Sequence, residues 1–427
     1  MIDIEHLRKN PEPYRDSMKK RNLNVTVVDD FLELDKKWRT LLGEIERARG
    51  EQKKLGVARK IEEAKKLKEE IGQKEEQIKG IEAKRQELVY LIPNLLHADV
   101  PIGKNESDNK VVRAWGKLPK FDFTPLDHVA LGEKLGLIDN ERAVKISGAR
   151  FVYLKGALVR LQFAIIQHVL EILGSEKIIK KIAARISNRI NPKPFIPVVP
   201  PVMIKPEPYV RMARLSLVDK DERYYLPQDD LYLIGSAEHT LGSMYMDEAL
   251  PADQLPIRYI GYSTSFRREA GSYGKDMKGI LRLHQFDKLE MESFTLPEDS
   301  EQEQNFIVAI QEYLIQSLDI PYQVVQICTG DMGKPDSRQI DMECWMPGQN
   351  KYRETHTSDL MTDYQTRRLG TKIRKIDGTS VYAHTNDATA FAIGRILIAI
   401  MENYQTKQGT IRVPKVLQKW LRLKKIV

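Results

Sequence analysis

The chain has little of several things. Its 427 residues include two cysteines, Cys328 and Cys344. Neither sits in a CxxC pair or a Cys/His cluster, which argues against a disulfide framework and a structural zinc site; no zinc is expected. No stretch approaches the ~18 consecutive apolar residues of a membrane-spanning helix, and the opening MIDIEHLRKN lacks the apolar centre of a secretion signal. The expectation is a cytoplasmic protein with no membrane partner. Two nucleotide signatures are also missing. There is no GxxxxGK[ST] and no GxGxxG after a strand, and GDMGKP at Gly330 has the wrong spacing for a P-loop. Any nucleotide must be held without a helix N-terminus cradling its phosphates.

Charge, in contrast, is plentiful. Charged residues make up 30% of the chain and the formal net charge is +8. That excess permits a polyanionic partner without requiring one. The length suits two or three domains.

Residues 28–92 differ from the rest. They are rich in Lys, Glu, Arg, Leu and Ile, with no proline before Pro93. Apolar residues recur in steps of three and four: Phe31, Leu34, Trp38, Leu41, Ile45, Ala48 and Leu55, with Gln52 the polar break. A second series runs Ala64, Leu67, Ile71, Ile78, Ile81, Leu88 and Ile92, interrupted by Lys74 and Arg85. This is the coiled-coil period, and Gly56 lies between the two series, so the spacing predicts an antiparallel helical hairpin with its tip near Gly56. Lys36 to Glu87 holds 16 basic and 11 acidic residues, a net of +5. The segment suits either a dimerising coiled coil or a basic arm on nucleic-acid phosphates.

Pro, Gly, Asn and Asp then cluster over Pro93–Lys110, read as a hinge, and a domain boundary is placed near residue 105. Beyond it the apolar series Leu158, Leu161, Ile165, Val169 and Ile172 predicts one helix over about 155–187. Short β-branched runs follow: PFIPVVPPVMI, DLYLIGSA, PIRYIGYSTSF, ILRLHQFDKLEME and PYQVVQI, with a late helix in AFAIGRILIAIMENY. Strands with few crossover helices predict a mainly antiparallel sheet in an α+β domain, residues 106–427, behind an N-terminal domain of residues 1–105.

One stretch is unusually charged for a sheet. PIRYIGYSTSFRRE and ILRLHQFDKLEME alternate as strands around AGSYGKDMKG, which reads as a long flexible hairpin loop. Period two puts Arg267 and Glu269 on one face, and Phe286, Lys288 and Glu290 together on the facing strand. Arginines grip phosphate oxygens in a forked geometry, a ring stacks on a base, and a carboxylate holds an ammonium. The alternative is a solvent-facing hairpin with cross-strand ion pairs.

These residues resemble motif 2 of the class II aminoacyl-tRNA synthetases, and specifically of the seryl-tRNA synthetase family of bacterial type. The resemblance runs the length of the chain: PFIPVVPPVMI is similar to motif 1, DLYLIGSAEHTL to the serine-side loop, NKYRETHTSD to the metal and ATP segment, and AIGRILIAIMENYQ to motif 3. It implies a homodimer that makes seryl-adenylate from L-serine, ATP and Mg²⁺, then charges tRNA(Ser), with the helical hairpin as the tRNA arm. It implies Arg267 and Arg395 as catalytic arginines on the α- and γ-phosphates. Arg268, Glu269, Arg282, Phe286, Glu354, Thr355, His356 and Thr357 would complete the ATP site, with Phe286 stacking on adenine and Glu354 and Thr357 beside the metal. Ser236, Ala237, Glu238, Arg267, Glu290, Asp387 and Thr389 would bind serine. His239 and His284 are read as structural, because the attacking carboxylate needs no base. Departures are visible: Ser236 stands for the family's threonine, Thr357 for serine, Thr389 for serine and Asp387 for asparagine. A non-catalytic nucleic-acid-binding relative, or activation for a carrier protein, are the rival readings; the retained arginines oppose the first and the long arm the second.

The arm yields a prediction. Its basic excess projects roughly 40 Å from the body at 1.5 Å per residue. Replacing residues 36–87 with a short glycine-serine linker is expected to spare serine-dependent pyrophosphate exchange and greatly reduce tRNA charging. Normal charging by the shortened chain would reduce the arm to a structural coiled coil.

Overall fold

The computed structural model describes residues 1–215, 222–269 and 279–427. Two short helices, α1 (Ile4–Lys9) and α2 (Glu12–Lys20), precede a long antiparallel pair, α3 (Thr26–Val57) and α4 (Ile61–Leu91). Gly56 lies in the last turn of α3, and three residues connect the pair. With 32 and 31 residues the helices span about 45 Å at 1.5 Å per residue.

Each polar break in the arm's apolar seam has a partner on the opposite helix. Lys74 Nζ lies 2.7 Å from Glu44 Oε2, Arg85 Nε 2.7 Å from Asp35 Oδ1, and Gln52 Nε2 reaches the Ala64 carbonyl at 3.4 Å. A shift of one helix past the other breaks all three, so these pairs specify register. Asp35 is fully buried and is gripped by Arg8, Arg39 and Arg85 together. Arg85 also lies over the rings of Phe31 and Trp38.

The base of the arm is docked on the body. Ile92, Pro93 and Asn94 are buried. The Asn94 amide donates to the Pro335 and Met361 carbonyls at 2.9 and 2.8 Å, and Tyr364 Oη donates to the Ile92 carbonyl at 3.0 Å. Arg21 donates to the carbonyls of Gly333 and Asp336. The segment expected to act as a hinge therefore begins as a hydrogen-bonded seam.

Eight strands form the central sheet, numbered in chain order: β1 (Lys110–Trp115), β2 (Ile196–Val198), β3 (Ile257–Phe266), β4 (Gln285–Thr295), β5 (Tyr322–Gln326), β6 (Arg338–Met346), β7 (Lys351–Thr362) and β8 (His384–Ala392). Side by side they run β1-β5-β6-β7-β8-β4-β3-β2. Every pairing is antiparallel except β2 with β3. Four helices cover one face: α5 (Ala157–Leu173), α6 (Glu176–Ile186), α7 (Ser300–Ser317) and α8 (Ile393–Asn403). Leu289 and Met291 of β4, Met342 and Cys344 of β6 and Phe391 of β8 pack there against Ile165, Phe306, Ile310 and Leu397. Each such side chain contributes about 1.5–3 kcal/mol on burial. Arg258 of β3 ties the sheet to α7 through two 2.6 Å contacts with Glu303.

Three expectations need correction. The helix expected over 155–187 is two, α5 and α6, bent by 68°. The apolar series runs past the break, but Ser175 caps α6 by accepting from the Ile178 amide. The late helix starts at Ile393, since Ala390–Ala392 finish β8. Strand β3 ends at Phe266, and Glu269 has φ +52°, so Arg267 and Glu269 do not share a strand face. The expected flexible loop falls, but for Gly279, outside the described residues.

Burial alone would raise the Asp35 carboxyl, but its hydrogen bonds to Arg8 and Arg85 outweigh that and bring it down to about 2. A depressed carboxylate stabilises the fold above its unfolded value near 3.9, and this is lost as pH falls through about 2. Asp35→Asn is expected to cost about 3 kcal/mol in denaturant unfolding at pH 7, the scale for breaking a buried ion pair. The cost should shrink by pH 3. An unchanged midpoint at pH 7 would remove the cluster from the arm's stability.

Candidate active site

The second face of strands β3, β4, β8, β7 and β6 meets the short helices Glu238–Leu241 and Tyr364–Leu369, and the charges gather there. A cavity of about 270 Å³ opens on it. Alternation along β4 aims Phe286, Lys288 and Glu290 into the cavity, while Asp287 turns to Tyr262, Thr264 and Gln162 on the other face. Two bulges then correct the phase of neighbouring strands. On β7 Glu354 pairs with Glu343 and His356 with Met342, leaving Thr355 extra; Glu354, Thr357 and Asp359 consequently all border the cavity. On β8 Ala390 is the extra residue, and Asp387, Thr389 and Ala392 border it. Gln311 of α7, fully buried, donates to the carbonyls of Thr357 and Thr389 at 2.9 and 2.8 Å, beside both bulges.

The two ends of the cavity differ. At one end lie Arg267, Glu269, Arg282, Phe286, Glu354 and Arg395. Arg267 donates from Nε to the Gly235 carbonyl at 3.0 Å, and its guanidinium lies 5.3 Å from the centre of the Phe286 ring. Arg282 and Glu269 pair at 3.2 Å. Arg395, in the first turn of α8, pairs with Glu354 Oε1 at 2.7 Å. Burial would raise the Glu354 carboxyl, but Arg395 and Arg267 hold it below the usual carboxylate range. Gly394 is required here: a Cβ would stand 2.7 Å from the Ile280 carbonyl oxygen. This end presents three guanidiniums and an aromatic ring, the groups a polyphosphate and a base would use.

The inner end is acidic. Lys288 Nζ lies 2.6 Å from Glu290 Oε2 and donates to Ser236 Oγ at 3.1 Å. Ser236 in turn donates to Glu290 Oε2 at 3.2 Å, and Thr389 donates to Glu290 Oε1 at 3.3 Å. Burial pushes the Glu290 carboxyl up to about 7 against the pull of Lys288. Glu238 goes the other way: burial would raise it, but Lys288 and Arg214 hold it below the ordinary range. Arg214 reaches Asp387 Oδ2 at 2.8 Å, and burial pushes Asp387 up to about 6 despite it.

Most of the residues singled out in the sequence meet at this cavity. Ser236 and Ala237 lie just beneath its wall, fully buried. His356 does not border it. Its ring is buried against Phe391 with Nδ1 2.8 Å from Thr355 Oγ1, because the bulge turns it to the helix face. Thr355 borders the cavity, while its hydroxyl donates to the Met342 carbonyl. Arg268 lies over the Tyr224 ring, away from the cavity lining. His239 accepts from the Gly235 amide and His284 donates to the Arg267 carbonyl, holding the backbone of both flanking loops. Sequence reasoning put Lys288 on the face of Phe286 and Glu290 by the period of two but gave it no role. Arg214, Asp336 and Asp359 were also missed.

Two family models match the chain. Residues 222–404 match the tRNA synthetase class II core domain (G, H, P, S and T), and residues 1–96 match the seryl-tRNA synthetase N-terminal domain. The sheet, the motifs and the first of these matches define a class II aminoacyl-tRNA synthetase core. A serine--tRNA ligase of Fervidobacterium nodosum is 38% identical over 99% of this chain and 98% of its own length. The crystal structure of seryl-tRNA synthetase from Pyrococcus horikoshii complexed with ATP superposes with a TM-score of 0.90 at 38% identity, covering 100% of this chain and 99% of that one. Cytoplasmic serine-tRNA ligase of Naegleria fowleri in complex with AMP gives 0.87 at 32%, covering 100% and 98%. The chain belongs to the serine--tRNA ligase family and is an aminoacyl-tRNA ligase. Its relatives are both bacterial and archaeal, so they do not single out a bacterial type.

Arg267→Ala and Arg395→Ala are each expected to slow adenylate formation at least ~100-fold, the scale for losing a preorganised charge stabiliser. Near-normal pyrophosphate exchange in either variant would mean these arginines lie off the reacting phosphates.

Proposed function

We propose that the cavity carries both half-reactions of serine ligation, with ATP at the arginine end and L-serine at the acidic end. The observation that carries this reading is the polarity of one continuous cavity, cationic where phosphates lie and anionic where an ammonium lies. Serine's carboxylate oxygen bonds to the α-phosphorus, the bond to the β-phosphate bridge breaks, and pyrophosphate leaves. Arg267 offsets charge at the α-phosphate and Arg395 at the γ-phosphate. Phe286 stacks on adenine, with Glu269 and Arg282 supporting the nucleotide. Glu290, Ser236 and Glu238 receive the ammonium, and Thr389 stands near the hydroxyl. The tRNA(Ser) 3′ hydroxyl then attacks the carbonyl carbon and AMP leaves.

Mg²⁺ is the expected metal. Among the described residues no group of three or more His, Cys, Asp or Glu side chains could hold an ion. Glu354, with the Thr357 hydroxyl on the same strand face, offers one carboxylate. Mg²⁺ needs little more when phosphate oxygens complete its shell, so the donors fit an ion brought with ATP. Bound there, it would neutralise phosphate charge.

The remaining roles rest on the same reading. The net +5 arm would lie on tRNA phosphates. A division at residue 105 and a bacterial-type enzyme fit the two-helix arm followed by the sheet. A homodimer is supported by the edge strand β2, where Ile196 and the following Val199 and Met203 are exposed apolar residues. A cytoplasmic setting is supported by two free, buried cysteines. Among the described residues no single helix is long and apolar enough to cross a membrane.

Pyrophosphate exchange with each amino acid in turn, with and without tRNA, tests the assignment; serine should lead without tRNA. A proton and the serine ammonium compete for Glu290. Serine's apparent affinity is therefore expected to rise as pH passes from 6 to 8 through the Glu290 value near 7. In Glu290→Gln it should be weak, with ATP affinity largely unchanged. Equal loss for both substrates would remove Glu290 from the amino-acid subsite.

A further inference from the structure

The inner end of the cavity carries more negative charge than a serine ammonium requires. Glu238, Glu290, Asp336, Asp359 and Asp387 all border it, and the cations beside them are Arg214 and Lys288. Lys288 is taken by Glu290, and Arg214 by Asp387. Along the same face the sheet lines up two more contacts of like charge. Glu292 pairs with Asp387 across β4 and β8, and Asp387 with Asp359 across β8 and β7. Three acids thus stand in a row on adjacent strands of the cavity face.

Several of their oxygens have no partner. Glu292 is fully buried, and neither carboxylate oxygen has a hydrogen bond among the described residues. Asp359 is hydrogen-bonded to Asp387, but its Oδ1, like Asp336 Oδ1, is buried and unpartnered among the described residues. An acid row serving only to hold strands together would have its oxygens bonded. Burial, joined by Asp387 and Glu238, raises the Glu292 carboxyl well above the usual range.

We propose that this inner end accepts a second ammonium group, so that the chain activates L-2,3-diaminopropionate in addition to serine. The inference rests on the serine subsite assigned above. Diaminopropionate is serine with an ammonium in place of the hydroxyl, so it needs no more room than serine. Its α-ammonium takes the Glu290–Ser236 position, and its side-chain ammonium faces Thr389, Asp387 and Asp359. The reaction is unchanged: the carboxylate oxygen bonds to the α-phosphorus and pyrophosphate leaves. The side-chain ammonium remains protonated and takes no part. The Asp at 387 has a direct consequence here. With Oδ2 held by Arg214, a carboxylate at this position still presents only acceptors to an ammonium, whereas an asparagine amide also carries a donor.

The test is pyrophosphate exchange by the unaltered full chain with L-serine, L-2,3-diaminopropionate and L-alanine. The kcat/KM for diaminopropionate should lie within about tenfold of serine and at least ~100-fold above alanine, whose side chain offers nothing to polar partners. Asp359→Asn should lower diaminopropionate exchange ~30-fold or more while moving serine less than about threefold. Serine exchange with diaminopropionate no better than alanine overturns the inference and leaves the serine reading standing. Diaminopropionate exchange without serine exchange sustains the second ammonium site and overturns the serine reading. Equal losses for both substrates in Asp359→Asn, with the variant's melting temperature unchanged, also overturn the inference, because the acid would then support the wall without discriminating.

Discussion

The contact of Lys288 with Glu290, 2.6 Å apart on one face of one strand, shows the constraint under which this site is built. Charges taken from water need partners or protons. Here they are set by neighbouring strands whose hydrogen-bond register leaves no freedom to retreat. Lys288 serves Glu290, Glu238 and Ser236 at once, and Arg214 serves Asp387, Glu238 and Asp359. Two cations therefore hold a larger set of acids in a half-satisfied state. The other face of these strands is packed against helices in one continuous apolar core.

Bulges are the second device. A regular strand shows alternate residues to one face, so Glu354 and Thr357 could not both reach the cavity without an extra residue between them. Thr355 on β7 and Ala390 on β8 supply it, and Gln311 answers nearby carbonyls from behind. A single glutamine thereby links the strands that carry Thr357 and Thr389. Its own Oε1 is buried without a partner, which leaves its amide end committed to the two strands.

How much of this was legible depended on distance along the chain. The arm was readable because its seam repeats locally, and even its interruptions, Lys74 and Arg85, were visible before their partners were. Phe286 and Glu290 were readable from alternation. His356 was misjudged because a bulge leaves no mark in a sequence of polar residues. The break between α5 and α6 was missed because apolar periodicity continued through Ser175, whose cap is a single hydroxyl. Arg214, Asp336 and Asp359 come together with Asp387 only through the fold, and no local pattern ties residue 214 to residue 387. The resemblance supplied Arg267 and Arg395 where physics alone offered only a charged hairpin.

Arg21, at the end of α2, donates to the carbonyls of Gly333 and Asp336, and both residues border the acidic end of the cavity. Part of the pocket wall is thus hung from the N-terminal region. The arm is long and built largely of its own contacts, but its root is not a detachable module. A chimera that exchanged residues 1–105 for another family's appendage would lose the bracket on the Gly333–Asp336 turn along with the helical arm. Recombination between such chains is therefore constrained to joints above the root, within the helical pair, where exchange of length and charge leaves the chemistry untouched.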